Sequence, residues 1–340
     1  MKINNPLVVV DMSAAIYALL PEMNRYWDDW EERKGFYDSP GQWATDRRTC
    51  YNKVLKAQLA MLLSGVWLAP YIEATEPQVI LACDRKDSNQ EYWRHAWLRS
   101  LELPPVKLKR RKRIFEDGDL VGKLVSEVPA KPIAYKGGRN YAQNGLQRLK
   151  ETVLELLRHI PVHQFGKIGY EADDICALTV VTNTMLSQDE QRHIILAVND
   201  SDILGLVGEK VTWFDLPRKF VPIVRSNLSE INHWWLNIKR RGVPLGKPSD
   251  IWTQKAFEGD VSDNLPKTNN GETLPVVDLL NPPEERRLWL DGEMRGNMLQ
   301  VLRERATMNI SVERAKETLT KARVSPLFDK HLYPLGSNYV

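Results

Sequence analysis

Short runs of apolar, largely β-branched residues punctuate the chain: LVVVD (7–11), VILACD (79–84), IILAVND (194–200) and VTWFD (211–215). They are too short for buried helices and lack the apolar–polar alternation of a half-exposed strand. They therefore predict strands buried on both faces. Between them the apolar positions recur at helical spacing. One such stretch runs near 43–66, with Val54, Leu55, Leu59, Leu62 and Leu63 on a stripe, and others lie near 141–160 and 171–187. Strands alternating with helices predict an α/β domain over residues 1–220, built on a mostly parallel twisted sheet flanked by helices. Past residue 220 the strand-like runs thin out. Helical patterns at 228–241, 284–304 and 310–323 predict a smaller helical C-terminal region over 221–340.

Composition narrows the class without naming a function. The 340 residues are 43% hydrophobic and 27% charged, with 47 basic against 44 acidic side chains. That is an ordinary globular balance with room for two domains. The near-neutral sum hides local segregation. PPVKLKRRKR packs six basic residues between Lys107 and Arg113, at the start of a segment (104–132) that interrupts the α/β pattern and is expected to continue as a mixed, mobile stretch. Cys50, Cys83 and Cys176 are far apart and odd in number, which fits buried thiols and not a disulfide or zinc framework. The opening MKINNPLVVVDM carries an apolar run that stops at Asp11, so it reads as a strand and not as a signal peptide. The longest apolar stretch, Met61 to Ile72, is broken by Ser64, Gly65 and Pro70 and falls short of a bilayer. No membrane contact and a cytoplasmic location are expected.

The carboxylates change the picture. Asp11, Asp84 and Asp200 close the first three strands, and Asp202 follows two residues on. Strand C-termini in a parallel sheet share one edge, where ligands bind. GYEADD adds Glu171, Asp173 and Asp174 at a helix start, and GDVSDN adds Asp260 and Asp263. One strand-end acid is ordinarily a turn former or a helix cap, and acids in a first helical turn suit the macrodipole. A whole set of them on one edge repels itself, by roughly 1 to 4 kcal/mol for each pair about 4 Å apart. Something positive must sit there. Oxygen-only donors select hard cations, Mg²⁺ or Mn²⁺, and none of the six His residues competes at ligand spacing. Two such ions about 3.5–4 Å apart are a common arrangement for phosphodiester hydrolysis. Cations for a substrate's phosphates are present at Arg94 in EYWRHAW, at Lys136 and Arg139 in YKGGRNYAQ, and at Lys107, Lys109, Arg110 and Arg111. Tyr92, Trp93, Trp97, Tyr135 and Tyr141 lie among them, able to stack on bases or to pack in a core.

The order Asp11, Asp84, WRH, YKGGR, EADD, DSD and GDVSDN, over roughly residues 5–270, resembles the flap endonuclease / 5′→3′ exonuclease family, and within it the ribonuclease H branch of T-even phages. EADD alone is a weak signal. EADD, DSD and GDVSDN in this order and at these distances are a strong one. The resemblance implies a PIN-like nuclease domain with a basic arch insertion near 104–140, followed by a helical duplex-binding region. It implies 5′→3′ hydrolysis of 5′ ends, flaps or RNA primers on DNA during lagging-strand replication, using two Mg²⁺ ions, with Mn²⁺ as a substitute. Asp11, Asp84, Glu171, Asp173 and Asp174 would surround the first metal; Asp200, Asp202, Asp260 and Asp263 would serve the second. Lys136 would touch the scissile phosphate, Arg139 would support the arch, and Arg94 would contact phosphate. The partners implied are DNA and RNA–DNA hybrid with a free or flapped 5′ end, and a single-strand DNA-binding protein or a polymerase clamp.

Two departures stand out. About forty residues separate WRH from YKGGR, so the arch is enlarged or Lys107 or Lys109 takes the Lys136 role. The segment after GDVSDN, PKTNNGETLPVVDLL, lacks the glycine-rich hairpin of the family. Rival readings are a PIN-type ribonuclease of single-stranded RNA and a non-catalytic, structure-specific nucleic-acid binder. A phosphatase with a DxD strand end is disfavoured because Met12 and Ser13 follow Asp11.

Overall fold

In this computed structural model the described residues are 2–16, 66–73, 78–84, 163–216, 223–238 and 243–258, with shorter pieces among residues 33–62, at 112–114 and 123–125, and at 153, 154 and 157. Eight strands are described: β1 (Leu7–Asp11), β2 (Gln78–Ala82), β3 (Lys112–Ile114), β4 (Lys123–Val125), β5 (His163–Phe165), β6 (Ile194–Ala197), β7 (Val211–Asp215) and β8 (Ile223–Arg225). Six of them form one sheet in the order β5-β2-β1-β6-β7-β8. The pairs β1–β2, β1–β6, β2–β5 and β6–β7 are parallel, and β8 runs antiparallel to β7. The α/β expectation holds, with a mostly parallel sheet flanked by helices.

β1 shows why this sheet needs two covered faces. Its residues alternate across the pleat. Val8 and Val10 join one buried cluster with the helical residues Leu55, Leu59 and Leu62, and with Val153 and Leu157. Leu7 and Val9 join a second cluster with Ile175, Cys176 and Leu178. Those three belong to helix α1 (Ala172–Thr184). Two further helices follow, α2 (Leu228–His233), which continues as a π turn over Trp234–Ile238, and α3 (Asp250–Glu258).

The sheet and its core run on past residue 220. β8 pairs with β7, and Ile231, Trp234, Trp235, Leu245, Ile251 and Trp252 pack in the same cluster as Leu7 and Val9. Arg225 locks this edge. Its guanidinium lies 4.5 Å from the Trp213 ring centroid, 5.2 Å from that of Trp234 and 4.0 Å from the Asp215 carboxylate. A buried cation is tolerable only with such partners. Asp215, the acid that ends β7, thus has a structural use. The predicted helices at 284–304 and 310–323 lie outside the described residues.

The strands expected at 7–11 and 211–215 form as read. Those expected at 79–84 and 194–200 are shorter, ending at Ala82 and Ala197. Within 104–132, expected to be a mixed, mobile stretch, β3 and β4 pair antiparallel as a two-stranded ribbon.

Candidate functional site

The strand order has a reversal. From β1 the chain moves outward to β2 and β5, then returns to β6 on the other side of β1 and continues to β7 and β8. The C-terminal ends of β1 and β6 therefore flank a topological switch point, the crevice where open α/β sheets bind ligands. Asp11 ends β1, and Asp200 follows β6 by three residues. Asp84 lies two residues beyond β2, the next strand over.

Hydrogen bonds tie these ends together. Asp11 Oδ1 accepts from the backbone N–H groups of Ser13 (2.7 Å) and Ala14 (3.2 Å), capping the helical residues 12–16. Asp84 Oδ2 accepts from the Ser13 hydroxyl at 2.5 Å, and its Oδ1 accepts from the Ala172 N–H at 2.8 Å. One carboxylate thereby joins the end of β2 to the segment after β1 and to the start of α1. Asp174 Oδ2 accepts from the Glu171 N–H at 2.9 Å, while the Asp174 N–H donates to the Glu171 carbonyl at 3.1 Å. Asp200 Oδ1 accepts from the Asp202 N–H at 3.0 Å and opens the 3₁₀ turn Ser201–Leu206. Each of these acids therefore does ordinary capping work. Capping accounts for where they sit but not for why they sit together.

Their proximity registers in the electrostatics. Burial, then the Asp84 charge, and then that of Asp200 raise the Asp11 pKa from 3.8 to about 7, against the pull of the Ala14 and Ser13 N–H groups. Cys176, one turn into α1 and fully buried, has its thiol pushed up by burial and by Asp11, Asp173, Asp174 and Asp84. So Asp11, Asp84, Asp173, Asp174 and Asp200 share one field. Glu171 and Asp174 are each 5% exposed. Among the described residues, however, no group of three or more His, Cys, Asp or Glu is close enough together to hold one metal ion.

No family model matches the chain. It is 27% identical over 147 residues to DNA polymerase I of two strains of Streptococcus pneumoniae, a match covering 43% of this chain and 15% of the polymerase. It also resembles phage 5′-exonucleases. The T5 D15 protein co-crystallised with metal ions aligns with a TM-score of 0.39 at 14% identity, over 96% of both chains. T5 5′-exonuclease with bound zinc gives 0.40 at 15%, again over 96% of each. The T5 D15 flap endonuclease with DNA and metal ions gives 0.41 at 13%, over 94% of this chain and all of that one.

Of the expected site, Asp11, Asp84, Glu171, Asp173, Asp174, Asp200 and Asp202 are described, and they lie at the C-terminal edge of the sheet or on the elements entering it. Asp260, Asp263, Lys136, Arg139, Arg94, Lys107, Lys109, Arg110 and Arg111 lie outside the described residues. The structure adds residues that sequence reasoning passed over. Ser13 bridges two acids; its place two residues after Asp11 is a recognisable capping spacing. Two indoles hold the segment around Asp200: Trp213 Nε1 donates to the Val198 carbonyl at 2.9 Å, and Trp252 Nε1 donates to the Asp202 carbonyl at 2.7 Å. Nothing in the local sequence of Trp252 announces that contact. No described helix is long and apolar enough to cross a membrane.

Proposed function

We propose that this chain is a metal-dependent phosphodiester hydrolase of the flap endonuclease / 5′→3′ exonuclease type, acting on RNA primers or flaps on DNA. The observation that carries the reading is the gathering of acids from β1, the segment after β2, α1 and the segment after β6 at the sheet's switch point. The donor chemistry fits hard divalent cations. Asp11, Asp84, Glu171, Asp173 and Asp174 would hold one ion, and Asp200, Asp202, Asp260 and Asp263 the other. Bound there, Mg²⁺ supplies an activated water and charge stabilisation at the leaving oxygen. The chain's own work is to hold these carboxylates on capped, hydrogen-bonded segments at one edge of the sheet, from which they would close on an arriving ion. Lys136 would meet the scissile phosphate, with Arg139 and Arg94 on neighbouring phosphates and the 107–111 basic run along the strand. Role and partners follow the same reading: lagging-strand primer removal, beside a single-strand DNA-binding protein or a polymerase clamp. The helical region beyond 220 would grip the duplex.

A gel tests it. A 5′-labelled RNA·DNA hybrid and a 5′-flapped DNA duplex are incubated with the protein, in Mg²⁺ and in EDTA, beside Asp200→Asn. Asparagine keeps the oxygen that accepts from Asp202 but removes the charge. Short 5′ products that need Mg²⁺ and fall by about a hundredfold or more in the variant, with DNA binding retained, are expected. Cleavage of single-stranded RNA alone would transfer the reading to a PIN ribonuclease. Binding without cleavage would leave a non-catalytic binder.

A further inference from the structure

We propose that Trp252 is a positioning residue for the candidate metal site, acting through the 3₁₀ turn that carries Asp200 and Asp202. The inference rests on the metal-site part of the proposed function. The turn Ser201–Leu206 comes soon after β6, and α3, some fifty residues later in the chain, packs against it together with α1 and β7. Trp252 Nε1 donates to the Asp202 carbonyl at 2.7 Å. The indole is 7% exposed and lies against Gly205, where an added Cβ would collide with its pyrrole edge. Ring contact at Gly205 and a hydrogen bond at Asp202 thus fix the turn at two points. At the other end Trp213 Nε1 holds the Val198 carbonyl at 2.9 Å. Asp200 lies between these two anchors.

The arrangement has a consequence for an acid beside like charges. Asp200, Asp11 and Asp84 all stand at the C-terminal edge of the sheet, at or just beyond the ends of β6, β1 and β2. Repulsion would drive a loosely held turn away from the crevice in the absence of metal. A buried indole N–H costs free energy if it loses its acceptor, so the Trp252 bond resists that retreat. Outer-shell contacts of this kind alter metal affinity by about 10- to 100-fold when removed.

The test uses the full-length protein and Mn²⁺ titration followed by electron paramagnetic resonance, with thermal melting in EDTA alongside. Trp252→Phe removes the N–H and keeps an aromatic ring. Gly205→Ala displaces the indole without changing it. In the EDTA melts Trp252→Phe is expected to remain cooperative, while Mn²⁺ binding weakens about tenfold. Gly205→Ala is expected to weaken it similarly. Combining the two should cost less than the product of the single effects, because phenylalanine vacates the space that the new methyl needs. Mn²⁺ affinity equal to wild type in both single variants overturns the proposal, as does loss of cooperative melting in both, which would make the contact one of general stability. A wild type that binds Mn²⁺ but cuts nothing, with weakened binding in the variants, overturns the nuclease reading and leaves this one standing. A wild type that binds no Mn²⁺ overturns both.

Discussion

At Asp11, burial and like charge act in the same direction. Its carboxyl is 7% exposed, caps the helical residues after β1, and faces the charges of Asp84 and Asp200. The outcome is a pKa near 7 in place of 3.8. Between about pH 4 and pH 7 the folded protein therefore holds a proton that the unfolded chain has released. Stability from this group is full below pH 4, falls as pH rises through that window, and levels off above 7. Asp11→Asn imitates the protonated form and keeps the oxygen that accepts from Ser13 and Ala14. In EDTA, the variant should melt close to wild type at pH 4 and above it at pH 8. A gain of about 1 kcal/mol corresponds to roughly 2–4 °C for a domain of this size. A variant that melts below wild type at pH 8 would show that the field of Asp84 and Asp200 is already neutralised without metal. The acids themselves were legible in the sequence, because a strand-end Asp declares both its strand and its edge. Their partners were not. Ser13 meets Asp84 across 71 positions and Trp252 meets Asp202 across 50, and such contacts exist only once the sheet has formed.

Helix α1 shows two uses of one motif at the scale of an element. EADD reads equally as a helix start and as a ligand set, and the structure gives it the first use in full detail. Glu171 caps α1 with extended backbone, and Asp174 reaches back to its buried N–H. Asp84 receives the N–H of Ala172, the first residue of the helix. The first turn of α1 is thus held by two carboxylates, one of them from another strand. Asp174→Ala would strand the Glu171 N–H in a buried setting, a loss of about 1–3 kcal/mol. It should lower the EDTA melting temperature by several degrees. Asp174→Asn, which keeps an acceptor oxygen, should recover most of that loss. Equal destabilisation by the two changes would mean that charge at the helix start, and not the hydrogen bond, is what matters. The same scale explains which elements the pattern revealed. The four central strands are runs of buried apolar residues, visible as such. β5 and β8 are three residues each, at or near the sheet edges, and HQF and IVR are too short to carry a period.

Over the whole molecule, the sequence suggested a boundary near 220 because the spacing of strand-like runs changes there. The fold uses that point differently. β8 and the segment through α3 supply Ile231, Trp234, Trp235, Leu245, Ile251 and Trp252 to the cluster that covers one face of the sheet. Arg225 is clasped between Trp213 on the sheet and Trp234 on the helical side. Burying six large apolar side chains stabilises by on the order of 10 kcal/mol, at about 1.5–3 kcal/mol each. Whole domains are stable by only about 5–15 kcal/mol. A chain ending at residue 220 should therefore not keep the native sheet. It would strip Trp234 and Arg225 from Trp213 and leave the turn bearing Asp200 and Asp202 without Trp252. The expected outcome is a fragment that binds a hydrophobic dye, shows no cooperative melt and has lost the near-ultraviolet dichroism of its packed tryptophans. A fragment 1–220 that melts cooperatively and retains that signal would mean that the first two thirds of the chain carry a complete core. The candidate carboxylate site would then be separable from the segment that follows it. With the face uncovered instead, the site and the segment through α3 form a single folding unit, and any change in how α3 is seated reaches the carboxylates directly.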